Sequence, residues 1–258
     1  MPSSNRVQNF VASRNALHFI NSFPHEPDVA VNILAYGEVK IGDASNGLCG
    51  GMVFTVRDLF EFHLPPLPDT APPAPGSPLF KYIVSRLLAS FDLPGGVLKY
   101  FEWMNTPDND TTLWIAIRHG VAWHTIVEEW PKVKSDIDSG HLSPLGLVTV
   151  FSPNPADLGL NHQVLAYGYD LDDGDNLTLH VYDPNTGAWA ADDVALRLNL
   201  SQPSNASPIT HNINIGHRVR GFLRVPYSPH DPSMLEPPNP PLMHALGLDL
   251  RPGSQLQS

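Results

Sequence analysis

Cysteine is almost missing from this chain: Cys49 is the only one in 258 residues. A lone thiol excludes an internal disulfide and any zinc site built on several cysteines. Basic residues are scarce as well, 15 Lys and Arg against 26 Asp and Glu, for a formal net charge of −11. No basic stripe or block occurs, so the electrostatic footprint that a nucleic-acid partner requires is absent. No run of about 18 apolar residues exists that would carry a helix across a membrane. The first residues, MPSSNRVQNFVASRNALHFI, contain neither an uninterrupted apolar stretch nor a small-residue cleavage pattern. Charged residues make up only 16% of the chain and hydrophobic residues 42%, the balance of a globular protein with a sizeable core. The expectation is a soluble, cytoplasmic protein that engages neither nucleic acid nor membrane.

Proline, by contrast, is plentiful, and much of it is gathered in two places. In LPPLPDTAPPAPGSP (64–78) it removes backbone donors and fixes φ, which predicts an extended loop outside the core, either an exposed linker or a strap over a groove. After Tyr227 a proline-rich tail (227–258) is expected to be disordered or draped over the surface. Apolar spacing predicts a short helix over 5–23, extended structure over 29–42, a helix from Cys49 to about Phe62, and helices through 79–138 with breaks near Pro94, Pro107 and Gly120. Trp103, Trp114, Trp123 and Trp130 fall in that helical region and read as core. Beyond Gly140 the pattern changes to strands: LGLVTVF (145–151), HQVLAYGYDL (162–171) and LTLHVYD (177–183), with two more from WAADDVALRLNL and RVRGFLRVPY. The expected architecture is α+β in one domain, residues 1–226, with a helical part (1–140) packed on an antiparallel sheet part (141–226).

Three places in this layout carry chemistry. Cys49 stands at a loop-to-helix junction, Asn46-Gly47-Leu48-Cys49-Gly50-Gly51-Met52, where free N–H groups and the helix dipole favour thiolate over thiol. His162 opens a strand directly after a Pro- and Gly-containing loop. The Asp172-Asp173-Gly174-Asp175 turn then folds the next strand back so that residues whose numbers sum to about 347 pair, bringing Asp183 or Asn185 beside His162. In such a set the cysteine attacks, the histidine moves the proton, and the acid or amide fixes the imidazole. The Cys49 N–H at the helix start would supply one oxyanion donor. His119 and His124 are spaced five apart, off the spacing that places two ligands on one helix face; no metal and no cofactor is implied.

These features together resemble the papain-like cysteine peptidase superfamily, and its bacterial leader-processing branch most closely. The motifs that carry the likeness are GLCGGM opening a helix, His-x-Val-Leu-x-x-Gly-Tyr opening a strand, and Tyr-Asp-Pro-Asn closing the next. The likeness covers roughly residues 40–190. It implies the papain-like fold and a hydrolase acting on a peptide or protein substrate through Cys49, His162 and Asp183. That superfamily commonly places a glutamine about six residues before the cysteine to complete the oxyanion hole; here the position is Asp43, which would repel an oxyanion unless protonated, so either Asn46 substitutes from a different geometry or the second donor is missing. The alternative is a papain-like module with weak or lost catalysis that serves binding or assembly.

Overall fold

A computed structural model describes residues 2–23, 29–33, 37–42, 48–92, 95–114 and 116–235. Its first strand, β1 (Ser3–Arg6), lies where a helix over 5–23 was expected, and only α1 (Ala12–Asn15) of that stretch is helical. Tertiary pairing wins over local periodicity here: β1 hydrogen-bonds to a later strand, and Asn9 turns the chain with φ at 65°. The extended reading of 29–42 becomes a hairpin of β2 (Val29–Ile33) and β3 (Gly37–Gly42). Helix α2 (Cys49–Glu61) is buried on every side through Leu59, as befits a helix wedged in a core rather than lying on it. The proline-rich 64–77 has no regular structure, yet Leu67 and Pro73 are buried, so it is a strap with two anchors.

Helix α3 (Pro78–Ser90) begins in a favourable way, with the Ser77 hydroxyl accepting from the Phe80 N–H and proline at the first helical position. Helix α4 (Gly95–Met104) follows. The next segment departs from expectation: β4 (Thr111–Leu113) and β5 (Ala116–Arg118) form a small hairpin, and helix resumes only after Gly120. A Cβ on Gly120 would lie 2.4 Å from the Asn109 carbonyl carbon, so the chain turns at the one residue that fits. Trp114, read as core, sits at the hairpin tip, 98% exposed, whereas Trp103 and Trp130 are buried and Trp123 stacks on His119. Then α5 (Val121–Trp123), a π-helical stretch (His124–Glu129) and α6 (Trp130–Asp138) run on from one another. Pro131 cannot donate to a preceding carbonyl, which accounts for the change of helical hydrogen bonding just before it.

From residue 143 onward the strands are β6 (Ser143–Val148), β7 (His162–Leu171), β8 (Asn176–Tyr182), β9 (Ala195–Asn199), β10 (Thr210–His211) and β11 (Gly221–Arg224). They form one antiparallel sheet in the order β10-β9-β8-β7-β6-β11, and β1 joins it beside β7. β7 is the axis: β6 pairs with its first half and β1 with its second, so these two lie end to end along one edge. The β7–β8 register sums to 348 from Leu171 to Gly168 and, past a bulge at Tyr167, to 347, the expected value. The positive φ of the connecting turn falls on Asp175 rather than Gly174. Asp172 stabilises the turn by accepting from the N–H groups of Gly174 and Asn176.

Two buried ionic clusters hold the helices on this sheet. Arg220 donates to the carbonyls of Trp103, Thr106 and Val150 and to Asp108, which satisfies the C-terminal end of α4. Asp58, near the end of α2, has no solvent exposure; it pairs with Arg86 of α3 and accepts from the hydroxyls of Tyr82 and Tyr227 and the N–H of His230. The first residues of the tail are therefore docked on α2 and α3, and those beyond 235 lie outside the described residues. Asp58→Ala strands a buried guanidinium and three donors, so it should cost about 3–5 kcal/mol and free the tail at 227–235. Urea unfolding and limited proteolysis of the tail would check both; an unchanged midpoint would contradict it.

Candidate active site

Helix α2 approaches its neighbours more closely than side chains normally permit. A Cβ on Gly51 would stand 2.1 Å from the Ile83 carbonyl oxygen of α3, and one on Gly50 would meet Ser90 Oγ at 2.3 Å and Gln163 Oε1 at 2.8 Å. The glycine pair after the cysteine thus lets the start of α2 sit directly against α3 and the start of β7. Cys49 is the first residue of the helix, its preceding residue fixed by a bond from the Leu48 N–H to Asn21 Oδ1. Cys49 lies at the edge of burial, 9% exposed, and lines a cleft.

His162, the first residue of β7, faces that sulfur and hydrogen-bonds with it. Its Nε2 lies 2.7 Å from Asp183 Oδ1, which leaves Nδ1 as the ring nitrogen available to Cys49. The carboxylate of Asp183 has no solvent exposure and is fully satisfied. Besides the imidazole, Oδ1 accepts from the Asn185 N–H, and Oδ2 accepts from the Thr186 hydroxyl and the Asn214 N–H. The hairpin register explains why these residues meet: positions 162, 164 and 183 share one face, so His162 reaches Asp183 diagonally.

The charges follow from this packing. Burial would raise the Cys49 thiol, but the His162 charge and hydrogen bond, with N–H groups of Gln163 and Gly50, hold it below its ordinary value. Burial would lower His162; the negative charge of Cys49 and the hydrogen bond His162 donates to Asp183 outweigh it and push the imidazole up to about 10. Asp183 stays below the usual carboxylate range because His162, Thr186 and the Asn185 N–H together overcome burial. Both shifts favour a thiolate beside an imidazolium, and a carboxylate stabilises the cation.

Cys49, His162 and Asp183 are therefore brought together. Asn185, the other expected orienting group, is not on the imidazole. Its side chain bridges Asn21 and the Asn214 carbonyl, and only its backbone N–H serves Asp183. The reason is that Pro184 and the following turn carry the side chain past the ring. Asp43 and Asn46 lie outside the described residues. Gln163 and Tyr100 were not singled out from the sequence, yet both line the cleft with Leu87, Phe91, Val97, Leu158 and Asn161. Nothing in local patterning marks Tyr100, while Gln163 carried a signal: a polar residue at an otherwise apolar strand position next to the histidine. Among the described residues no group of three or more His, Cys, Asp or Glu side chains converges as a metal site, and no helix is long and apolar enough to cross a membrane.

A titration follows from the geometry. In wild type the His162 ring should remain doubly protonated up to pH about 10. Removing its thiolate partner in Cys49→Ala should bring the midpoint down, because one of the charges that raises it is gone. Ring-nitrogen NMR across this range is the check; an identical midpoint in both proteins would refute the coupling.

No known protein family, curated protein or solved structure matches this chain.

Proposed function

We propose that this protein is a cysteine hydrolase of papain-like type that cleaves a peptide or amide bond. The observation that carries the reading is the buried chain of contacts from Cys49 to His162 to Asp183 at the mouth of a cleft. The resemblance of GLCGGM, His162-Gln163-Val164-Leu165 and Tyr182-Asp183-Pro184-Asn185 to the papain-like superfamily points the same way.

In this reading the Cys49 thiolate attacks the carbonyl carbon of the scissile bond. The oxyanion that forms meets the Cys49 N–H, which lies in the first turn of α2 and lacks an intrahelical acceptor. His162 then gives its proton to the leaving nitrogen as the C–N bond breaks, leaving a thioester on Cys49. A water molecule, deprotonated by His162, attacks that thioester, the C–S bond breaks, and the acid product leaves with the thiolate restored. Asp183 takes up no proton in this cycle; it holds the ring and stabilises its cation.

The test is alkylation of Cys49 by iodoacetamide against pH, alongside turnover of a peptide library. Wild type should react fast with an acidic midpoint below about 8.5, and His162→Ala should raise that midpoint. Cys49→Ala should abolish turnover, and Asp183→Asn should lower it by about a hundredfold or more. A slow reaction indifferent to His162 would refute the reading.

A further inference from the structure

Nucleophile and acid come from distant parts of the chain, and one side chain outside both bridges the loops that carry them. Helix α2 starts without a capping side chain: the residue ahead of Cys49 is Leu48, which has no polar side-chain atom to offer. Its N–H donates instead to Asn21 Oδ1 at 2.8 Å. The same Asn21 amide donates through Nδ2 to Asn185 Oδ1 at 3.0 Å, and the Asn21 N–H donates to the Pro184 carbonyl at 2.8 Å. Asn21 therefore holds the residue just before the nucleophile and the two residues just after the acid.

Backbone groups at both ends fix the direction of this chain of bonds. A main-chain N–H can only donate, so Leu48 takes Asn21 Oδ1 and turns Nδ2 toward Asn185. A main-chain carbonyl can only accept, so that of Asn214 takes Asn185 Nδ2 at 3.1 Å and leaves Oδ1 for Asn21. Asn214 closes the circuit, its Nδ2 donating to the Asn185 carbonyl at 3.1 Å and its N–H to Asp183 Oδ2 at 3.0 Å. Asn21 is itself held by packing. Phe19 and Phe23 on either side of it are buried with their rings edge to face at 6.3 Å, and Phe23 lies against Phe80 of α3 at 5.9 Å. Two aromatic anchors two residues away on each side make this a rigid mount for the amide.

We propose that Asn21 is a positioning residue for Cys49, His162 and Asp183, locking the start of α2 to the turn after Asp183 and so setting the approach of sulfur to imidazole. The proposal rests on the hydrolase reading and adds a residue to it. Leu48 has no solvent exposure, so without Asn21 its N–H loses its partner inside the core. The turn after Asp183 loses a tie at the same moment. A contact between thiolate and imidazolium weakens steeply with separation, and a displacement of about 1 Å can cost about a hundredfold in rate.

The experiment reads Cys49 alkylation by iodoacetamide against pH in the full-length chain, with the urea midpoint measured alongside. In Asn21→Ala the alkylation midpoint should rise toward that of a free thiol, and the rate below neutral pH should fall by about tenfold or more. Asn185→Ala keeps the backbone N–H that serves Asp183 and should shift the midpoint the same way. Because both substitutions cut one link, the double variant should lose less than the product of the two single losses. An alkylation midpoint equal to that of wild type in Asn21→Ala, with only the urea midpoint lowered, would make the residue structural and overturn the proposal. Single losses that multiply in the double variant would overturn it too. If Asn21→Ala fails to fold, Asn185→Ala carries the test, and an unchanged alkylation midpoint there would overturn it. Slow alkylation in wild type, indifferent to His162, would refute the hydrolase reading and the proposal with it, whereas a fast wild type with an indifferent Asn21→Ala overturns the proposal alone.

Discussion

The depth at which α2 is seated sets the positions of everything else in the site. Gly50 and Gly51 present hydrogens where any other residue would present a methyl group, and their neighbours fill that space: the Ile83 carbonyl on one side, Ser90 and Gln163 on the other. Because interiors are close-packed, a Cβ at either position would have to move a backbone or a buried amide. The consequence is geometric. With α2 this close to β7, the first residue of the helix meets the first residue of the strand, and Cys49 lies on His162. With α3 equally close, Leu87 and Phe91, at and just past its end, line the same cleft as Cys49.

The electrostatics depend on that seat. The imidazolium and the carboxylate are taken out of water together beside the sulfur, which neither would tolerate alone. Asp183 is tolerated because four donors surround it, three of them from the turn that follows it and from the segment around Asn214. His162 is tolerated because opposite charges lie on both of its sides.

Parts of this arrangement were legible before any coordinates. The helix from Cys49, the strand from His162, the hairpin turn and its register are local features, set by glycine, by apolar runs and by the acidic turn, and the structure has them close to where they were expected. Other segments were misread for physical reasons. Residues 5–23 have helical spacing, but β7 offers an open edge beyond the end of β6, and pairing with it outweighs propensity. The segment 111–118 looks like the start of a helix because its apolar residues are frequent, yet Trp114 and Ile117 are exposed in a small hairpin. Asn185 was as good a candidate as Asp183 by register alone, and the turn geometry after Pro184 separated them.

The amino-acid sequence by itself determined the α+β class, the order in which cysteine, histidine and acid appear, and the hairpin that brings the last two together. Each of these depends on neighbours a few residues apart. Only the tertiary structure decided that Asp183 holds the imidazole, that Tyr100 and Gln163 line the cleft beside Cys49, and that the first residues of the tail dock on Asp58. Those contacts join residues far apart in the chain, such as Gly50 with Gln163 and Asp58 with Tyr227. They exist because packing, not local preference, chooses which surfaces meet.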